Sequence, residues 1–277
     1  MTERRRAAEI PDCIARCAQA YEPGGVSCAT QLKQLLRKFA QSRLSGNSQF
    51  QEAVIWRMWD MVVKHLVKSD TSCDRCRPEA AKSFYIGSEV FTAVLPLVSG
   101  AVPTSSSVNA AALWLTGMLW QAQRLVSSNM RGNSHAAILA AMQARQSDEQ
   151  VCAAACWALA FTLKRSCPDT EAVATAAAAM ILRSLELFGD KDDLASYALR
   201  ALVVLAGYTS ARQLLQQRLT TSKVTIWLIC RQLQSGRGSP YLDSIVSSAC
   251  ALIGHLCEAD DLQARVSAAN QLAGHRV

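Results

Sequence analysis

Apolar residues recur at helical spacing along most of the chain, and three stretches repeat one pattern: Val151 to Leu163, Leu194 to Ala206 and Ile245 to Cys257. A weaker fourth copy begins at Val108 and continues through Ala112, Leu115 and Leu119. The four copies start 43, 43 and 51 residues apart. Counted from the first residue of each, the apolar positions fall at 0, +4, +7, +8, +11 and +12. That is the broad buried face of an α-helix. Position +4 is alanine in every copy (Ala112, Ala155, Ala198 and Ala249), which lets helix axes approach closely. Position +8 is a large aliphatic in three copies (Leu159, Leu202 and Ile253), with Thr116 in the weakest.

A shorter apolar helix precedes each copy, over Val90 to Val98, Ala136 to Met142, Met180 to Leu187 and Val224 to Leu233. Further helical pieces at Glu171 to Ala178 and Ala211 to Leu219 bring the pattern to three helices per unit. The runs Ser147-Asp148-Glu149 and Asp190 to Asp193 supply N-cap and first-turn residues that complement the helix dipole. The region 28–69 reads as an irregular helical pair, Gln31 to Gln41 and Gln49 to Val67, followed by a polar loop over Lys68 to Pro78. Asp260 to Ala273 starts one more helix, read as a cap within 260–277, and Gln234 to Pro240 reads as an inserted loop.

Composition narrows the class. Half the residues are hydrophobic and 18% are charged, against about 25% charged in an average soluble domain. Glycine (13) and proline (7) are scarce, which excludes collagen-like and most disordered chains and argues against an all-β domain. The expectation is a single all-α domain over 1–277. The eleven cysteines sit mostly in apolar helical stretches, as small buried hydrophobes do. No apolar segment follows the basic start Met1 to Arg6, and Glu3 and Glu9 break its transit-peptide character. A reducing cytoplasm, or the nucleus, is therefore expected. Val90 to Gln123 is free of charge, but Pro96, Pro103 and the Thr104 to Ser107 run divide it into pieces too short for the roughly 20 residues that cross a bilayer.

At the repeated residues the sequence resembles the armadillo repeat family, with HEAT repeats the close alternative. Ile138 to Leu163 matches best: an apolar helix, Ser147-Asp148-Glu149, then Val151, Ala155, Ala158, Leu159 and Leu163. The first two spacings suit the roughly 40–47 residues of such repeats, and the third reads as one repeat carrying the inserted loop Gln234 to Pro240. The resemblance covers about 84–258 and, less regularly, 28–69. It implies a right-handed α-solenoid of about four to five repeats whose concave groove takes a peptide or helix of a protein partner, consistent with the extended surfaces of solenoids. Importin-alpha-like members use Trp and Asn on the third helix. Trp114 and Trp157 hold the +6 slot here, but Arg200 and Ala251 hold it in the other copies. At +10 stand Met118, Phe161, Val204 and His255. These residues mostly cannot clamp a peptide backbone with side-chain amides, which leaves a more apolar groove.

The expected partner-binding residues are Trp114, Met118, Trp157, Phe161, Lys164, Tyr197, Arg200, Val204 and His255. The Trp114, Met118, Trp157, Phe161 and Val204 row either faces the groove as an apolar anchor or packs between helices. Lys164, Arg200 and Arg124 would add charge steering. The net charge of +7 is scattered, and the alternative function is an RNA-associated helical-repeat protein using those basic residues. No catalytic residue, cofactor, metal or small-molecule substrate is expected. Cys73-Asp-Arg-Cys76 lacks the second pair a zinc site needs, and Cys13/Cys17 has helix-face spacing. His65, His135, His255 and His275 form no ligand motif, and Asp192-Asp193 and Asp260-Asp261 sit at helix starts. Gly236 and Gly238 read as loop glycines, with no phosphate-binding or nucleophile motif.

Overall fold

The computed structural model describes residues 28–62, 80–100, 102–121, 131–164, 168–221 and 239–256. Among them every regular element is an α-helix and none is a strand. The chain divides into two compact units, Met1–Thr162 and Leu163–Val277. The expected features at Cys13/Cys17, His65, Cys73/Cys76, Arg124, Val224 to Leu233, Gly236, Gly238 and 257–277 lie outside the described residues.

The first unit holds α1 (Cys28–Ser45), α2 (Ser48–Val62), α3 (Ala80–Val98), α4 (Ser106–Gln121), α5 (Arg131–Ala144) and α6 (Glu149–Thr162). Consecutive helices pair as α1/α2, α3/α4 and α5/α6. Between pairs, α2 packs on α4 and α4 on α6, while α1 packs on α3 and α3 on α5. The unit thus places its helices in two rows of three, α1/α3/α5 and α2/α4/α6.

Local chemistry sets where these helices begin and end. Asn47, Ser105 and Asp148 each sit just before an element of the second row. Asn47 Oδ1 accepts from the Phe50 amide (3.0 Å), Ser105 Oγ from Val108 (3.4 Å) and Asp148 Oδ1 from Val151 (3.2 Å). One capping bond at one spacing therefore starts α2, α4 and α6. Gly46 and Gly100 follow α1 and α3 at φ of 67° and 72°, the left-handed stop that glycine adopts without strain. Asn109 donates to the Leu97 carbonyl at 2.6 Å, satisfying an acceptor at the end of α3.

The second unit holds α7 (Pro168–Phe188), α8 (Asp192–Leu205), α9 (Thr209–Thr221) and α10 (residues 242–256). Helix α7 packs on both α8 and α9. Ser196 on α8 meets Ser244 on α10 at 2.8 Å, and Gln216 on α9 donates to the Leu256 carbonyl at 3.3 Å. Glu171 ties the start of α9 to α7: its Oε1 accepts from the Ser210 amide (2.8 Å) and hydroxyl (2.9 Å). These bonds hold the Glu171 carboxyl below its ordinary pKa, the Ser210 amide contributing most.

The aligned +4 and starting positions are buried in both units. Ala112, Ala155, Ala198 and Ala249 are all fully buried, as are Val108, Val151, Leu194 and Ile245 at the copy starts. Thr116 is buried too, its hydroxyl satisfied by the Ala112 carbonyl at 2.8 Å.

Three expectations need correction. Glu171 to Ala178 and Met180 to Leu187 are one 21-residue helix, not two; the alanine run between them contains no breaker, so propagation costs little. In helix α8 the N-cap position is Lys191, without a side-chain bond, while Asp192 and Asp193 lie in the first turn as expected and Asp193 Oδ1 accepts from the Leu194 amide at 2.8 Å. Ile253 at +8 is 42% exposed rather than buried.

Candidate partner-binding faces

In the first unit the expected binding row resolves into a packed part and an open edge. Helices α4 and α6 form the most extensive helix pair there. Both are apolar nearly all round, with alanines at 110–112, 153–155, 158 and 160 buried between neighbours. Gly117 sits where the Trp157 indole crosses α4. A Cβ there would lie 2.4 Å from Trp157 Cζ3 and 2.9 Å from Ala158 Cα. The glycine is the space the indole fills.

Trp157 is the centre of an aromatic cluster. Its ring lies 4.8 Å from Trp114 at 48° and 4.8 Å from Phe161 at 64°, tilted geometries of the kind that stabilise aromatic pairs by about 0.5–1.5 kcal/mol beyond burial. Trp157 and Met118 are buried, whereas Trp114 and Phe161 are half-buried at the margin. Of this row on α4 and α6, Trp114 and Phe161 are the residues that keep part of their surface exposed.

The capping register exposes a position missed by sequence reading. Phe50 stands three residues after its cap, as Val108 and Val151 do, so Trp56 occupies the +6 slot that Trp114 and Trp157 occupy. Trp56 packs edge-on to Trp59 at 6.0 Å and its indole N–H donates to Glu52 at 3.4 Å. The copy was hard to recognise because Val54, not alanine, fills +4. The cap at Asn47 was the available signal.

In the second unit the candidate residues lie on an open face. Tyr197, Arg200 and Val204 fall within two turns of α8; Arg200 is exposed and the others are half-buried. Tyr241, just before α10, extends this face by an edge contact to Tyr197 at 6.0 Å. His255 on α10 and Lys164 are exposed. The candidate residues here are the aromatic, aliphatic and cationic mixture that the sequence offered.

Other polar groups on these helices serve structure. The His135 ring is buried, with Nε2 3.1 Å from the Thr162 carbonyl at the end of α6. Burial lowers its pKa and the Thr162 bond partly opposes that. Arg145 reaches from the turn before α6 to Ser106 Oγ (2.7 Å) and the Thr104 carbonyl, tying the starts of the α4 and α6 segments together. A shallow polar concavity of about 550 Å³ beside it is lined by Ser106, Arg145, Asp148 and Glu149. Cys152 and Cys156 are buried thiols outside any disulfide, and burial drives the Cys156 pKa strongly upward, which lowers its reactivity. Among the described residues no group of three His, Cys, Asp or Glu side chains is placed to hold a metal, and no helix is long and apolar enough to cross a membrane.

No family model, curated protein or solved structure matches the chain.

Proposed function

We propose that this chain is a non-catalytic interaction scaffold, an armadillo- or HEAT-like right-handed solenoid that binds a peptide segment or helix of a partner protein. The observation that supports this most is the recurrence of one fully buried alanine at an equivalent place on α4, α6, α8 and α10. Repeated close packing of that kind stacks helices into rows whose remaining faces stay available to partners. The binding residues on this reading are the Trp114/Phe161 edge in the first unit and Tyr197, Arg200 and Val204, with His255, in the second. Arg and the aromatics are the types most often found as interface hot spots.

The test is comparative affinity capture. Wild-type chain, Trp114→Ala/Phe161→Ala and Arg200→Glu/Val204→Glu are each used as bait, with thermal melting run in parallel. The expected result is a defined set of proteins lost from at least one variant whose melting temperature falls by less than about 4 °C, roughly 1 kcal/mol for a domain this size. Identical captures from all three baits would overturn the assignment of these faces.

A further inference from the structure

The inserted loop that lengthens the last repeat spacing ends in a motif that the faces above do not use. It reads Gln234-Ser-Gly-Arg-Gly-Ser-Pro240. Of the seven prolines in the chain, only Pro240 follows a Ser or Thr. The Ser239-Pro240 step lies just before α10, not within it, with Pro240 exposed and Ser239 half-buried. Two bonds hold Ser239: its Oγ accepts from the Tyr241 amide at 3.3 Å, and its carbonyl accepts from the Leu242 amide at 3.2 Å. Both are local to the turn. The seating of α10 rests instead on Ile245, Ala249 and Leu252, all fully buried. Ser239 can therefore be drawn out of its turn without unpacking the helix that follows.

We infer that Ser239 is a phosphorylation site, its hydroxyl the acceptor for a proline-directed protein kinase. Proline is the one residue that brings no N–H to the position after the acceptor. A kinase whose surface there is apolar selects it, because any other residue would bury an unpaired amide. In the step, Ser239 Oγ bonds to the γ-phosphorus of ATP and the bond from that phosphorus to the β–γ bridging oxygen breaks. ADP departs, and the hydroxyl proton passes to the catalytic carboxylate of the kinase. The product carries about −1.5 to −2 charges near neutral pH. That charge stands two residues before Tyr241, whose ring meets Tyr197 at 6.0 Å, and Arg200 follows one turn beyond Tyr197 on α8. The modification thus sets anionic charge at the margin of the second unit's candidate face.

The test incubates the folded full chain with radiolabelled ATP and a purified proline-directed kinase, and locates the label by mass spectrometry. A synthetic peptide of residues 234–243 is labelled in parallel, and far-UV circular dichroism checks that each variant keeps its helix content. The expected result is labelling on Ser239 that falls about tenfold or more in Ser239→Ala and in Pro240→Ala, as the cost of an unpaired amide requires, and persists in Ser239→Thr. A labelled peptide beside an unlabelled folded chain would overturn the proposal, since the turn would then be closed to the kinase. Labelling of neither, or labelling of the chain that survives Ser239→Ala or Pro240→Ala, would overturn it as well. The readout involves no binding partner, so its failure and that of the partner-binding faces are told apart.

Discussion

A single hydrogen atom sets how closely α4 and α6 meet. Trp157 lies where a side chain at Gly117 would be, so Gly117→Ala must push the indole or the helix backbone aside. Overpacking of this kind costs about 1–3 kcal/mol. Urea unfolding should show that loss, and Gly117→Ala combined with Trp157→Phe should recover part of it; a neutral Gly117→Ala would mean the indole can move freely. His135 supplies the second prediction at this scale. Its pKa is lower in the folded chain than in the unfolded one. Its contribution to stability is therefore complete above the unfolded value near 6.5 and is lost as pH falls toward the lowered folded value. Unfolding midpoints measured between pH 7.5 and 5 should decline more steeply for wild type than for His135→Gln, which keeps a donor for the Thr162 carbonyl and does not titrate. Parallel declines would assign the acid sensitivity to other groups.

At the scale of the element, helix starts carry more of the organisation than the apolar stripe does. Asn47, Ser105 and Asp148 each accept, through a side-chain oxygen, from the amide three residues on, at 3.0–3.4 Å. Asp148 also accepts from Gln150 at 3.0 Å. Asp148→Ala should therefore destabilise by about 0.5–2 kcal/mol, with Asp148→Asn much milder, since the amide oxygen still caps. Denaturant titration of both variants checks this, and equal loss would point to charge rather than capping. The same comparison shows what could be read beforehand. Ser147-Asp148-Glu149 was legible as a start because the acidic cap and the apolar run adjoin. The pair α1/α2 was legible as helices, yet the register of α2 was hidden by Val54 in place of alanine. Pro168 to Phe188 misled in the other direction: two apolar blocks separated by alanines look like two helices, but alanine continues a helix rather than ending one. For Trp157 the sequence left two arrangements open, facing a groove or packing between helices. Its partner Gly117 lies on another helix, 40 residues upstream, and only packing brings the two together.

For the whole molecule, the claim with the widest reach is that one packing position recurs from α4 to α10. It is separable from helix propensity, because leucine is nearly as good a helix former as alanine. Ala112→Leu, Ala155→Leu, Ala198→Leu and Ala249→Leu each force a branched side chain into a fully buried site. Each should lower stability by about 1–3 kcal/mol. Ala251→Leu lies two residues from Ala249 on the same helix but is exposed, and it should stay within about 0.5 kcal/mol of wild type. Chemical denaturation of the five variants distinguishes the cases. If the four buried substitutions all cost more than Ala251→Leu, the alanines mark equivalent close approaches, as a stack of repeats requires. If only Ala112→Leu and Ala155→Leu do, close packing is confined to the first unit, and the second buries its helices by other means. The latter outcome would remove the support for a scaffold running the length of the chain while leaving the α4/α6 aromatic edge in place. It would also turn the search for partners toward the first unit, where Trp114 and Phe161 stand beside a core that the substitutions would have shown to be tightly packed.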